Sequence, residues 1–392
     1  MEVIGLDIGT AHARAAVVRH RAAALVPGDG GTNALAAAVS LDGNQVHVGA
    51  RALDRVATHP DATVRSIKNT LERARLVLAG KAITPERLLS ALVRELRDRA
   101  AKHFGRTPAA AVVAHAGWLR AEERRTLVAA VKRMGLEVVG TLTDATATAL
   151  TILGNKTEQR RVVVVDVGAG GCSASVLSVM PAGVRLEYCR GEAGVGGESI
   201  DAALAQLACR QLEEQLGQLP TDGTLLALLR QSCERAKRDL SYTREAVVAV
   251  PWPAGKAGRG APPEVRFDRA MLHRALARLL AQLEVCCAEV LARARLGPGQ
   301  ADQLYLNGGM TRLGVVRQRV EEFVGLEASS GLHPDGAIAM GAALHAAALT
   351  SHEGVLVDEP GDPVPRSKRS TPAAAKGRAA RSSPGVTAAA AE

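Results

Sequence analysis

Two segments of this sequence share one layout, and their repetition limits the possible folds more than any other feature. Residues 3–18, VIGLDIGTAHARAAVV, and residues 162–179, VVVVDVGAGGCSASVLSV, each run apolar, turn through a carboxylate set among glycines, and run apolar again. Each reads as a β-hairpin, with Asp7, Gly9 and Thr10 at one tip and Asp166, Gly168 and Gly170 at the other. Glycine at such a tip lets backbone N–H groups approach an anion closely, because no Cβ intervenes. Aspartate there would repel a bare phosphate. It fits when a divalent cation and its waters lie between carboxylate and phosphate, as Mg²⁺ prefers. One such turn is explained as well by local geometry; two copies point to paired hairpins that clasp a Mg²⁺-triphosphate.

The segments around the hairpins alternate strand and helix patterns. TPERLLSALVRELRDRAAKHFG reads as a helix with Thr84 as cap, Pro85 in the first turn, and Leu88, Leu89, Leu92, Val93 and Leu96 on one face. A buried strand AAAVVAH follows, then the helix AEERRTLVAAVKRMG ending at Gly135, the strand LEVVGTLTD and the small-residue helix ATATALTIL. A loosely similar order follows Val162. The expected architecture is therefore α/β in two duplicated lobes, residues 1–160 and 161–350, with a cleft between them. Residues 351–392 read as a linker remnant and a basic tail of disordered composition, rich in Pro, Ala, Ser and Gly.

Composition narrows the function. Aromatic residues are only 2% of the chain, so the cores must be built of Ala, Val and Leu, and stacking platforms for single-stranded nucleic acid are hard to assemble. The six cysteines show no metal spacing and read as reduced core thiols. No run approaches the ~20 apolar residues of a membrane span, and the expected location is cytoplasmic. Much of the +9 net charge sits in the tail, at Arg366, Lys368, Arg369, Lys376, Arg378 and Arg381. Polyanions are a candidate contact for that tail, although simple solvation explains it more economically.

The segments IGLDIGT, SIKNTLERA, LEVVGTLTDATATAL, VVVVDVGAGG, GVGGESIDAAL, CERAKRDLS, LYLNGGMTRLGVVRQRVEEFVG and HPDGAIAMGAAL occur in an order that resembles the actin-like ATPase domain. Within that group they resemble the DnaK-type chaperones of the 70-kDa heat-shock family, from Val3 to about Leu349. The resemblance implies ATP or ADP with Mg²⁺ as the bound cofactors, with Asp7 and Asp166 reaching the metal through water. Gly9, Thr10, Gly168 and Gly170 are the implied phosphate-loop residues, joined by Gly196 and Gly197 of GVGGES. Lys68 matches the lysine that reaches the γ-phosphate and attacking water, and Asp144 stands where the family orients that water with a glutamate. Glu234, Lys237 and Ser241 match positions that meet adenine and ribose; their i, i+3, i+7 spacing would place them on one helix face. Gly308 and Gly309 allow close approach to the nucleoside, Arg312 matches an arginine that stacks on adenine, and Asp335 has a counterpart near the adenosine.

Departures from the family pattern bear on catalysis. Ala11 removes one hydroxyl from the first loop, and His12 follows it. In the second loop Gly171 and Ser173 stand where a threonine and an aspartate are usual, Met310 replaces a serine, and Ala116 replaces a relay proline, while the relay arginine is matched by Arg124. After the linker-like Val355, Leu356, Val357 and Asp358 comes the basic tail, and the expectation is a chain without a peptide-binding domain. The expectation is a slow Mg-dependent ATPase whose nucleotide state is read by a partner protein. The alternative is a non-hydrolysing nucleotide-binding scaffold; a sugar or acetate kinase on the same fold is a weaker third.

Overall fold

The structure is a computed structural model that describes residues 2–28, 31–153, 158–217, 223–250, 263–332, 335–351 and 356–359. Strands β1 (Val3–Ile8), β2 (His12–Arg19) and β3 (Ala22–Leu25) open the chain, and β4 (Leu35–Ala36) pairs with β2. Strands β5 (Ala38–Asp42) and β6 (Gln45–Val48), helix α1 (Ala50–Leu53) and strand β7 (Thr63–Arg65) form a small subdomain, followed by the ribbon β8 (Leu76–Leu78) and β9 (Lys81–Ile83). Helix α2 (Pro85–Phe104), strand β10 (Ala110–His115), helix α3 (Ala121–Arg133), strand β11 (Glu137–Thr143) and helix α4 (Asp144–Leu153) complete the first half. The second half runs β12 (Arg160–Val167), β13 (Gly171–Met180), β14 (Gly183–Ala193), α5 (Gly197–Leu216), α6 (Gly223–Asp239), β15 (Glu245–Ala249) and β16 (Glu264–Asp268). It continues through α7 (Arg269–Arg293), β17 (Gln303–Asn307), α8 (Gly314–Val324), α9 (Ala337–Ser351) and β18 (Leu356–Asp358).

The two large sheets share a common plan. In the first, β1, β2 and β3 form an antiparallel meander and β10 lies parallel to β1, with β11 beyond it. In the second, β12, β13 and β14 form the meander and β17 lies parallel to β12. A meander whose first strand carries a parallel neighbour thus occurs twice, and the chain has the α/β actin-like ATPase fold anticipated from its sequence. Residues Met1–Pro360 form one compact unit. The linker-like Leu356–Asp358 is part of that unit, paired parallel to β14 at Gly183–Arg185, whereas Val355 and the basic tail lie outside the described residues.

Local chemistry accounts for the helix ends. The Thr84 hydroxyl accepts from the Arg87 N–H at 3.4 Å, Pro85 occupies the first turn of α2, and Gly105 closes it in the left-handed region. At α3 the Glu123 carboxylate accepts the Arg120 backbone N–H at 2.8 Å. Outer cores of Leu, Val and Ala lie under α2 and α3 on one sheet and under α5 to α8 on the other. Four cysteines, Cys172, Cys233, Cys286 and Cys287, are buried and all six are free.

The inner layer is what joins the halves. Helix α4 packs on β12, β13 and β14, while α9, from the end of the second half, packs on β1, β2 and β10 of the first sheet; the two helices also pack on each other. Small residues make this possible. A Cβ on Gly341 would stand 1.7 Å from the Ala147 carbonyl oxygen, and one on Gly5 would stand 2.1 Å from the Ala343 nitrogen. The Ala/Gly-rich sequence of α9 is thus a close-packing device against α4 and the first sheet. No helix among the described residues is long and apolar enough to cross a membrane.

Candidate functional site

The two repeated hairpins meet tip to tip. A Cβ on Gly170 would lie 2.3 Å from the Thr10 hydroxyl and 2.8 Å from Asn69 Oδ1, so only glycine lets the second tip approach the first this closely. A third loop joins them: Gly308, at φ +83°, presses against the Val167 carbonyl, and a Cβ there would sit 2.6 Å from Asp166 Oδ1. A cleft of about 580 Å³ opens over these loops, a size suited to a small organic ligand. Of the residues implied for the nucleotide site, all but one line it. Gly196 is the exception: it backs the second loop, where a Cβ would strike the Ala169 carbonyl at 2.6 Å.

Charge concentrates at the bottom of this cleft. Asp7 and Asp166 end the first strands of their meanders, Asp144 starts α4, and Lys68 sits in a short 3₁₀ turn at Ile67–Thr70; all four are buried. The Lys68 ammonium lies 5.4 Å from the centre of the Trp118 ring, within cation–π range. Burial raises the Asp7 carboxyl above its ordinary value, opposed by Arg14 and Lys68. Burial likewise raises Asp144 strongly; Lys68 opposes this, and repulsion from Asp7, Asp166 and Glu359 adds to it. Asp166 is pushed up to about 6 by burial and by Asp7, with Lys68 opposing. Asp144 Oδ1 has no hydrogen-bond partner among the described residues. Three buried carboxylates set against the Lys68 ammonium and, at 4.0 Å from Asp7, the Arg14 guanidinium still lack positive charge, a deficit that a hard divalent cation meets. Among the described residues no three His, Cys, Asp or Glu side chains close into a chelating cluster.

The opposite wall belongs to α5, α6 and the loop before α8. Lys237 is buried in an ion pair with Asp201 at 2.7 Å and donates to the Gly197 carbonyl at 3.1 Å. Glu234 accepts from Arg65 at 3.0 Å and from Arg238; burial works to raise its carboxyl, but these partners hold it below its ordinary value. Ser241 lies just past the last residue of α6, so it shares the cleft with Glu234 and Lys237 and not their helical face. Arg312 pairs with Asp335, which lies just before α9, joining the two residues expected near the adenosine. Further contacts tie the 3₁₀ turn to α5: Asn69 Nδ2 donates to Glu198 at 2.6 Å, and Ser66, at φ +55°, also donates to Glu198.

Several lining residues escaped the sequence reading. Arg14 pairs with Asp7 directly across the first hairpin, and counting back from the turn would have placed it there. Trp118 fills the space beside Gly171 and Gly191. Its signal was the coincidence of a bulky residue with a glycine where a threonine was expected. Tyr242 and Arg238 also line the cleft, beside Met310, which was noted above in place of a serine.

A family model described as "Hsp70 protein" matches residues 3–77 and 69–358. The chain is 28% identical over 368 residues to the chaperone protein DnaK of Thermotoga petrophila, covering 91% of this chain and 62% of that protein. It is 27% identical over 374 residues to the chaperone protein DnaK of Thermus thermophilus, covering 89% and 61% respectively. The chain thus spans somewhat over three-fifths of the length of these curated relatives. With the family match running almost unbroken through both hairpins, the inner helices and the cleft between them, this chain belongs to the Hsp70 family.

Proposed function

We propose that the cleft binds ATP with Mg²⁺ and hydrolyses it slowly, and that a partner protein in the cytoplasm reads the resulting conformational states in protein folding. In this reading residues 1–160 and 161–350 act as the two lobes that close on the nucleotide. The observation that carries it is the convergence of Asp7, Asp144, Asp166 and Lys68 beneath two glycine hairpins in one buried site. Bound Mg²⁺ would neutralise phosphate charge and hold ordered water. Asp7 and Asp166 hold that aquo ion, and backbone N–H groups at Gly9, Thr10, Gly168 and Gly170 cradle the phosphates. The Lys68 ammonium, fixed against Trp118, stabilises charge that builds on the terminal phosphate, since phosphoryl transfer depends on positioning and electrostatics. Asp144 offers its unpartnered Oδ1 to the attacking water and orients it. Glu234, Lys237, Ser241, Gly308, Gly309, Arg312 and Asp335 form the nucleoside side.

A second reading, a nucleotide-binding scaffold without turnover, draws support from Gly171 and Ala11, which leave both phosphate loops short of a hydroxyl. Single-turnover hydrolysis separates the two. The ATPase reading expects slow conversion of bound ATP to ADP, slowed about 100-fold or more by Lys68→Ala with binding retained. ATP that stays intact for hours in both proteins supports the scaffold.

A further inference from the structure

Arg14 is the cation in the cleft whose role nothing above explains. It lies on β2 directly opposite Asp7, and its side chain is only 15% exposed. One guanidinium nitrogen stands 4.0 Å from Asp7 and the other 3.8 Å from Asp335, which itself pairs with Arg312. Both Arg14 contacts are longer than hydrogen bonds. Among the described residues the guanidinium donates no hydrogen bond, although it carries five N–H groups and lines the cleft. A cation this buried ordinarily has its donors satisfied. Here they face the space between the carboxylate end and the nucleoside end of the site.

We infer that Arg14 is a further nucleotide-binding residue, whose guanidinium donates to the phosphates nearest the nucleoside. The inference rests on the nucleotide reading above and deepens it. The line Asp7, Arg14, Asp335, Arg312 runs from the first hairpin to the loop that carries Gly308 and Gly309, so a phosphate chain laid between them passes the guanidinium. Phosphate is the chemistry a planar, fork-shaped cation recognises best. Two long, imperfect ion pairs place Arg14 without using up its donors. A contact to phosphates shared by ATP and ADP serves both equally and does nothing for a nucleoside.

Calorimetric titration of the wild-type protein, Arg14→Gln and Arg14→Lys with MgADP, with ADP in EDTA and with adenosine tests this. Arg14→Gln is expected to weaken ADP about 10-fold or more, with and without metal, as for loss of a charge-assisted hydrogen bond. Adenosine affinity should stay within about twofold, and Arg14→Lys should recover part of the ADP affinity. Parallel losses for ADP and adenosine would make Arg14 a structural brace and overturn the inference, as would unchanged ADP binding. Should Arg14→Gln fail to fold, Arg14→Lys carries the test, with a smaller, several-fold ADP loss expected and adenosine again unmoved. Wild-type protein that binds neither ADP nor adenosine overturns the nucleotide reading itself; binding of both with no Arg14 effect overturns only the inference.

Discussion

The indole of Trp118 occupies the place a side chain on residue 171 would need: a Cβ built on Gly171 would stand 2.7 Å from Trp118 Nε1. It would also stand 2.5 Å from the Glu192 carbonyl oxygen, so backbone and side chain both exclude it. The glycine at the tip of the second hairpin is therefore matched to the aromatic residue after β10. Trp118 is held in turn over the Lys68 ammonium.

Restoring the expected hydroxyl by Gly171→Thr should consequently harm the protein. Overpacking of this kind costs about 1–3 kcal/mol. Denaturant unfolding should show a loss in that range, only partly relieved by adding Trp118→Ala because the Glu192 carbonyl remains. A Gly171→Thr protein of unchanged stability would mean that the loop has room the structure does not show.

The bonds from Ser66 and Asn69 to Glu198, with Arg65 to Glu234, tie the segment carrying Lys68 to α5 and α6. Burial raises the Glu198 carboxyl, opposed by Arg230 and Arg65. Glu198→Ala should loosen this strap and speed release of a fluorescent ADP analogue about tenfold in stopped-flow chase, the scale of one charge-assisted hydrogen bond. Release at the wild-type rate would assign gating elsewhere.

His345, buried in α9, should shape the acid limb of stability. Burial lowers its imidazole from the ordinary 6.5 to about 4, and its Nδ1 lacks a hydrogen-bond partner among the described residues. Above pH 6.5 both folded and unfolded chains hold it neutral, and it contributes no pH dependence. As pH falls toward 4 the unfolded chain takes up a proton that the folded chain refuses, so stability drops, by about 3 kcal/mol across the window. Asp166 works in the opposite sense, since its raised carboxyl takes up a proton in the folded state first. Comparing His345→Leu with wild type cancels the Asp166 contribution. The variant should lose about 2–3 kcal/mol less between pH 7 and 4.5 in urea titrations; parallel curves would refute the assignment.

What the sequence disclosed and what it hid follow from how each feature is encoded. The hairpins were legible because one layout of glycine and aspartate between apolar runs occurs twice, and α2 because its cap, proline and apolar face agree. The exchange of α4 and α9 between the halves was not legible. It depends on Gly341 meeting Ala147 and Gly5 meeting Ala343, and no local pattern names such partners. Arg14 and Trp118 were hidden for a similar reason: each acts across a strand pair or a loop contact, so its meaning depends on Asp7 or Gly171. The helical face of Glu234 and Lys237 does not extend to Ser241, because α6 stops at Asp239, two residues short, and a turn carries Ser241 into the cleft.

In the proposed function, Asp7, Asp166 and the two hairpins clasp a Mg-bound adenine nucleotide. Chromatography of the small molecules released on denaturing freshly purified protein tests it most directly, paired with a MgATP titration of protein stripped of nucleotide. About one adenine nucleotide per chain is expected or, for empty protein, saturable MgATP binding that Asp7→Asn and Asp166→Asn each weaken at least tenfold. Protein that carries no nucleotide and takes up no MgATP would contradict it.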